Sequence, residues 1–183
     1  MKSTPILPVL AFATLMIGCQ VADAPPQEVQ TPEETASAEA AFDAIKSLEG
    51  IWEGTLVFSD GREMVTSNEF RVVSGGNTVV ETLIEDDVEM ATTYTMEGGT
   101  LVAKHYCVLG TEPTFEVSLT DGGTIEFSPT ADTPYNAGDD DFVTGMTFDI
   151  SKTAAQTLSR TGVISQGGEV ITNEAVLTKK TRE

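Results

Sequence analysis

The sequence predicts an all-β domain, an antiparallel up-and-down β-barrel of about ten strands that follows one N-terminal helix. From Gly50 onward, short runs of residues alternate between apolar and polar with a period of two. Tight turns containing glycine separate these runs, which is typical of antiparallel hairpins. No helix-length segment lies between two runs, so parallel strand–helix–strand units are excluded. A long meander usually closes because closure removes its exposed edges; a Greek-key sandwich is the alternative.

Residues 1–18 have the pattern of a bacterial lipoprotein signal peptide. Lys2 supplies a positive start, residues 6–17 are mostly apolar, and Gly18-Cys19 ends the stretch. The apolar segment is shorter than the roughly 20 residues that a membrane-spanning helix needs. The ending resembles a lipobox, which implies removal of residues 1–18 and attachment of lipid to Cys19. An ordinary secretory signal that is cut elsewhere is the alternative.

Residues 19–32 are predicted to be a lipidated flexible tether, which leaves residues 33–183 for the helix and the barrel. The tether is rich in Pro, Ala, Glu and Gln and lacks a large apolar cluster. Several acyl chains on one cysteine anchor a protein stably in a membrane. Gln20 follows the cysteine in place of Asp, so the signal for retention in the inner membrane is missing. We therefore expect an outer-membrane lipid anchor, on either face of that membrane.

A helix is predicted to begin at Pro32. Thr31 is a suitable N-cap, Pro32 suits the first helical position, and Glu34 suits the third. Gly50 can end the helix. Its apolar face consists of Ala41, Phe42, Ile45 and Leu48. So few apolar residues do not hold a helix by themselves, and we expect this helix to cap one end of the barrel.

The predicted strands follow from period-two runs between turn residues. They are residues 51–58, 64–73, 78–85, 90–96, 100–106, 114–119, 124–128, 142–150, 157–165 and 169–179. Charged residues on the outward faces of several strands argue against a barrel that spans lipid, which needs a continuous apolar outer band.

The composition limits the partners of the protein. The chain has 29 acidic and 10 basic residues, and its net charge is −19. Such acidity excludes nucleic acid as an expected partner, because phosphate binding requires Lys and Arg. The acidic run at residues 139–141 lacks the alternating spacing of a calcium loop. It is interpreted as a solvated loop.

Alternation assigns the rarer residues to the barrel interior. In the fifth strand, His105 and Cys107 share a face with Leu101, while Lys104 lies on the opposite face. By the same alternation, Trp52, Glu81 and Tyr94 are expected to point inside. These five inward residues, Trp52, Glu81, Tyr94, His105 and Cys107, are the candidate wall of a ligand pocket. A basic side chain, Arg160 or Lys179, is expected over the ring of Trp52.

Two motifs resemble known barrels. The Gly-Ile-Trp-Glu-Gly stretch at residues 50–54 looks like the Gly-x-Trp opening of calycins. A second motif consists of residues 79–82, 89–94, 101, 105–107, 110 and 113. This motif is similar to a bacterial family of uncharacterised calycin-like proteins, which carries a Glu-Met-x-Thr-x-Tyr segment and a His-Tyr-Cys triplet. The resemblance covers about residues 42–180, implies a calycin-like β-barrel, and brings no established activity.

The chemistry of His105 has several readings. Haem ligation through His105 is one, because nitrobindin-like barrels hold haem through a histidine. Zinc binding by His105, Cys107 and Glu81 is a second, and Cys–His nucleophilic catalysis is a third. The simplest reading is a histidine hydrogen-bonded to Glu81, a tyrosine or the backbone, beside a buried thiol. We therefore predict no catalytic residue, no metal and no resident cofactor.

The predicted function is binding of a small apolar or amphipathic molecule, without catalysis, by a membrane-anchored lipoprotein. The alternative is a filled barrel that acts as a protein-interaction module of the cell envelope. Interior volume separates the two. A cavity of several hundred Å³ that is lined by Trp52, Tyr94 and His105 favours ligand binding, whereas an interior plugged by Phe and Met favours the alternative.

Overall fold

The computed structural model describes residues 32–181. The predicted signal peptide, Cys19 and nearly all of the tether lie outside the described residues. One α-helix, α1 (Pro32–Ser47), begins at the predicted proline and leads directly into the first strand. In the described part of the chain, no helix is long and apolar enough to cross a membrane.

Ten strands follow α1, and each end lies within two residues of its prediction. They are β1 (Gly50–Phe58), β2 (Glu63–Val73), β3 (Thr78–Glu85), β4 (Val88–Glu97), β5 (Thr100–Tyr106), β6 (Thr114–Leu119), β7 (Thr124–Pro129), β8 (Phe142–Asp149), β9 (Thr157–Gln166) and β10 (Glu169–Lys179). Period-two alternation and glycine turns are local signals, so the sequence indicates these bounds well.

The strands form a closed antiparallel barrel in which each strand pairs with its neighbours along the chain. β1 pairs with β10 from Trp52 opposite Lys179 to Phe58 opposite Asn173, and this pairing closes the barrel. The predicted up-and-down barrel is confirmed. The sandwich alternative is wrong because short hairpins bring every consecutive pair of strands side by side.

Helix α1 covers the end of the barrel at which β1 begins, here called the closed end. The helix packs on β4, β5 and β6, and Ala41, Ile45 and Leu48 are fully buried in the core. The indole Nε1 of Trp52 donates a hydrogen bond to the Leu48 carbonyl oxygen at 2.7 Å. The predicted capping role of the helix is therefore confirmed.

Five aromatic rings fill the middle of the barrel. Phe127 is at the centre of this cluster, with its ring centroid 4.9 Å from that of Phe148 and 6.1 Å from that of Tyr94. The ring of Phe70 packs edge-on against that of Phe148, and the ring of Phe115 packs edge-on against that of Phe127. These rings occupy the middle of the barrel and separate the closed end from the opposite end, here called the open end.

Candidate functional site

A cavity of about 230 Å³ lies at the open end of the barrel. Its apolar wall includes Phe58, Met64, Leu83, Met90, Val143 and Ile164. Its polar wall includes Arg62, Glu85, Asp86, His105, Arg160 and Asn173. The strands β1, β3 and β5 end at this cavity, and the turns that follow them form part of its rim.

The volume of the cavity limits the size of a ligand. An apolar protein cavity of about 150 Å³ is large enough to bind benzene. Pockets for drug-sized ligands typically measure about 300–1,000 Å³. The cavity at the open end, at about 230 Å³, therefore suits a molecule somewhat larger than one aromatic ring.

His105 lines this cavity from β5 and is almost fully buried. The β4–β5 register places Thr92 directly opposite it, and Thr92 Oγ1 and His105 Nδ1 share a hydrogen bond at 3.0 Å. Burial, together with the positive charge of Arg160, lowers the pKa of His105 to about 4. The imidazole is therefore neutral near pH 7. The predicted inward orientation is confirmed, but the hydrogen-bond partner is the Thr92 hydroxyl and not Glu81, a tyrosine or the backbone, as predicted.

The neutral state of His105 predicts that acid destabilises the fold. The folded pKa of about 4 lies below the ordinary value of 6.5, so between these values the unfolded chain binds a proton that the folded chain does not. Stability from the neutral imidazole is complete above pH 6.5 and is lost as pH falls through about 4. We expect that loss to be roughly 3 kcal/mol, because one pKa unit corresponds to about 1.4 kcal/mol.

Urea unfolding of the wild type and of His105→Gln, at neutral pH and in acid, measures this loss. Glu81, Asp60 and Asp149, which also have shifted pKa values, are present in both proteins. The difference between the two pH profiles therefore isolates His105. Parallel profiles would show that the histidine does not control the acid stability.

Glu81 lies one layer deeper than the cavity, because Leu83 and Glu85 separate it from the open end of β3. Tyr94 Oη donates a hydrogen bond to Glu81 Oε2 at 2.5 Å, and Asn68 Nδ2 donates one to Oε1. Burial raises the pKa of the Glu81 carboxyl, although the hydrogen bonds oppose this shift. Burial and the neighbouring Glu81 raise the pKa of Tyr94 well above its usual value. Tyr94, Glu81 and Asn68 thus form a buried hydrogen-bonded group in the core.

Trp52 lies at the closed end, away from the cavity, and only 1% of its surface is exposed. Lys179 Nζ lies 5.1 Å from the centre of its ring, which fulfils the expectation of a basic side chain over the tryptophan. Arg160, the other candidate for that position, lies instead in the cavity wall. Trp52, Glu81 and Tyr94 therefore belong to the packed interior, while His105 and Cys107 line the cavity.

Cys107 follows β5 at the rim of the cavity and is a free, half-buried thiol. Burial is the main cause that raises its pKa. The sulfur is therefore protonated near neutral pH, whereas an activated cysteine nucleophile has a lowered pKa. In residues 32–181, no group of three His, Cys, Asp or Glu side chains is arranged to hold a metal ion.

Arg160, which was predicted to lie over the ring of Trp52, lies in the cavity wall instead. Its side chain is only 6% exposed, and Nη2 donates a hydrogen bond to Glu85 Oε1 at 2.7 Å. Nε is buried without an acceptor, and Nη1 has none among the described residues. The period-two pattern of β9 could have placed it correctly, because Arg160 lies between the inward Leu158 and Gly162.

No protein-family model matches the chain, and no curated protein resembles it in sequence. Among solved structures, the chain is similar to a protein of unknown function from the DUF3598 family, from Nostoc punctiforme PCC 73102. The sequence identity is 15% and the TM-score is 0.53, over 75% of this chain and 49% of that chain. This chain therefore spans about half the length of that protein. The similarity shows the barrel fold.

Two further structures are less similar. One is a redesigned β-barrel at 13% identity and a TM-score of 0.38, over 75% of this chain and 96% of that chain. The other is EF1p2_mFAP2b bound to DFHBI, at 11% identity and a TM-score of 0.40, over 76% of this chain and 99% of that chain.

Proposed function

We propose that this protein is a lipid-anchored lipoprotein of the bacterial outer membrane whose barrel binds a small apolar or amphipathic molecule without catalysis. The observation that carries the proposal is the cavity of about 230 Å³ at the open end. Its wall is largely apolar, with a few polar groups that could orient a ligand, and such a combination is typical of ligand sites. His105 and Cys107 would contact the ligand as wall residues.

The absence of catalysis in this proposal rests on the chemistry of the two candidate reactive groups. The Cys107 thiol is held in its protonated form, since its pKa is raised. His105 Nδ1 is engaged with Thr92 at 3.0 Å and not with a carboxylate that would orient it as a base. Both groups serve better as polar contacts than as a nucleophile and its base.

A protein-interaction module is the second candidate, and the aromatic cluster favours it. Phe70, Tyr94, Phe115, Phe127 and Phe148 fill the middle of the barrel, so the interior is not one continuous ligand chamber. In that case the loops around the open end would contact a protein partner.

Native mass spectrometry of the protein purified from its own host tests the ligand-binding proposal. We expect a mass excess that corresponds to one small molecule and that disappears on denaturation. The absorption spectrum of the same sample tests haem, which absorbs strongly in the visible range. Protein at its own mass, together with co-purification of a stoichiometric protein partner, would favour the interaction module instead.

The lipid anchor predicts a specific effect of Cys19→Ser. Loss of the acylated sulfur should move the protein from the membrane fraction to the soluble fraction of the envelope, because the acyl chains supply the membrane affinity. Cys107→Ser is the matched control and should leave the protein on the membrane. Membrane retention of Cys19→Ser, measured by fractionation and immunoblotting, would contradict the anchor.

A further inference from the structure

Both cationic side chains that line the cavity already pair with a carboxylate of this chain. Arg62 Nε lies 2.7 Å from Asp60 Oδ2, and Arg160 Nη2 lies 2.7 Å from Glu85 Oε1. The Arg160 pair is the more buried one, with 6% of the Arg160 side chain and 17% of the Glu85 side chain exposed. Among the described residues that line the cavity, no cationic side chain therefore lacks a counter-charge.

The remaining ionisable groups near the cavity add negative charge or none. Asp86 lines the cavity and accepts a hydrogen bond from the backbone N–H of Val65 at 3.0 Å. Glu81 lies one layer below the cavity, and the positive charge of Arg160 acts to lower the pKa of its carboxyl, against the larger raising effect of burial. His105 is neutral near pH 7 because burial and Arg160 lower its pKa. A carboxylate ligand would enter this site without a free positive partner, and burial of an unpaired charge is costly.

Arg160 nevertheless has unused hydrogen-bond donors. Its Nη2 bonds to Glu85, but its Nε is buried with no acceptor, and its Nη1 has none among the described residues. An arginine presents five N–H donors. Nε is shielded even from the cavity, so an uncharged oxygen that only accepts hydrogen bonds would use the donors of Nη1, without bringing a second negative charge to the guanidinium.

We propose that the ligand is a neutral molecule with a compact apolar body and one carbonyl oxygen, as in a ketone or an ester, which accepts a hydrogen bond from Arg160. This inference rests on the proposed ligand-binding function and names the chemical class of the ligand. The apolar body contacts Leu83, Met90 and Val143 in the cavity wall. A carboxylic acid of the same size is discriminated against, because Glu85 already neutralises Arg160.

Calorimetric titration with two matched ligand series at neutral pH tests the proposal. The first series is methyl hexyl ketone, octanoate and octane, and the second is acetophenone, benzoate and ethylbenzene. Within each series the body is kept similar while the head changes from carbonyl to carboxylate to hydrocarbon. We expect the ketone to bind at least about tenfold more tightly than the carboxylate, and several-fold more tightly than the hydrocarbon.

Two variants connect this preference to the arginine. The double variant Arg160→Met/Glu85→Gln removes the donors without leaving a charged carboxylate behind, and it should bring ketone and hydrocarbon affinities within about twofold. The single variant Glu85→Gln leaves Arg160 without its counter-charge, and it should strengthen carboxylate binding by at least about tenfold. If the double variant fails to fold, Glu85→Gln and the ligand series on the wild type still test whether the charge balance at Arg160 determines the preference.

The outcomes separate this inference from the function on which it rests. If no member of either series binds to the wild type, the proposed ligand-binding function is overturned, and the inference with it. If the carboxylate or the hydrocarbon binds most tightly, ligand binding stands and the carbonyl inference is overturned. A ketone preference that persists in the double variant also overturns it, because Arg160 would then not be the donor.

Discussion

Replacing Phe127 with alanine is expected to lower the free energy of unfolding by about 3–5 kcal/mol. Phe127 contacts three other rings, those of Tyr94, Phe115 and Phe148, with centroid distances between 4.9 and 6.4 Å. Truncation would leave a void that is enclosed by rigid rings on several sides and that cannot easily collapse. Urea unfolding followed by the fluorescence of the single, buried tryptophan, Trp52, measures the loss.

Phe58→Ala is the matched control for this truncation. Phe58 lines the cavity at the open end, and 8% of its surface is exposed. Its removal enlarges a space that already exists, so the expected loss is less than half of that for Phe127→Ala. Equal losses at the two positions would contradict a barrel that is packed in its middle and hollow at its open end.

Arg160→Met is expected to destabilise the fold by about 2–4 kcal/mol, because Glu85 is left without its partner. The expected loss is smaller than for a fully enclosed pair, since 17% of the Glu85 side chain is exposed. The double variant Arg160→Met/Glu85→Gln should recover most of the lost stability.

A double-mutant cycle of Arg160→Met and Glu85→Gln, measured by urea unfolding, gives the coupling between the two side chains. A double variant as unstable as Arg160→Met alone would show that the arginine stabilises the barrel mainly through its packing. That result would remove the argument that Glu85 neutralises the guanidinium inside the cavity.

The local features of this fold could be predicted from the sequence because they depend on neighbouring residues. The alternation of Leu101 and Lys104 in β5 is sufficient to assign the inward face of that strand, and the burial of His105 follows from it. Glycine turns mark the hairpins, and sequential hairpins determine the order of the strands.

The division of the interior into a packed middle and a cavity could not be predicted, because it depends on how distant side chains fill a common volume. Arg160 shows the difficulty most clearly. Its ion-pair partner, Glu85, is 75 residues away in the sequence, and no local pattern connects the two. For the same reason Trp52 and Tyr94, correctly placed inside, lie away from the cavity.

The partner of His105 depends on the register between strands. Thr92 and His105 are opposite each other in β4 and β5, while Tyr94 and Asn68 both bind Glu81. A shift of one residue in the register would have moved the hydroxyl away from the imidazole. The sequence identified His105, Glu81 and Tyr94 as inward polar residues, but it identified neither Asn68 and Arg160 nor the pairs that these residues form.

The central claim is that the cavity at the open end binds a small neutral molecule, and calorimetric titration of a filled cavity tests it most directly. Acetophenone and ethylbenzene would be titrated into the wild type, into Leu83→Trp/Val143→Trp, which fills the cavity, and into Val65→Trp/Val176→Trp. The last variant adds the same bulk on the outer surface, where Val65 is 69% and Val176 is 64% exposed. We expect the wild type and the outer variant to bind alike and the filled variant to bind at least about tenfold more weakly. Undiminished binding by the filled variant, or no binding by the wild type, would contradict the claim.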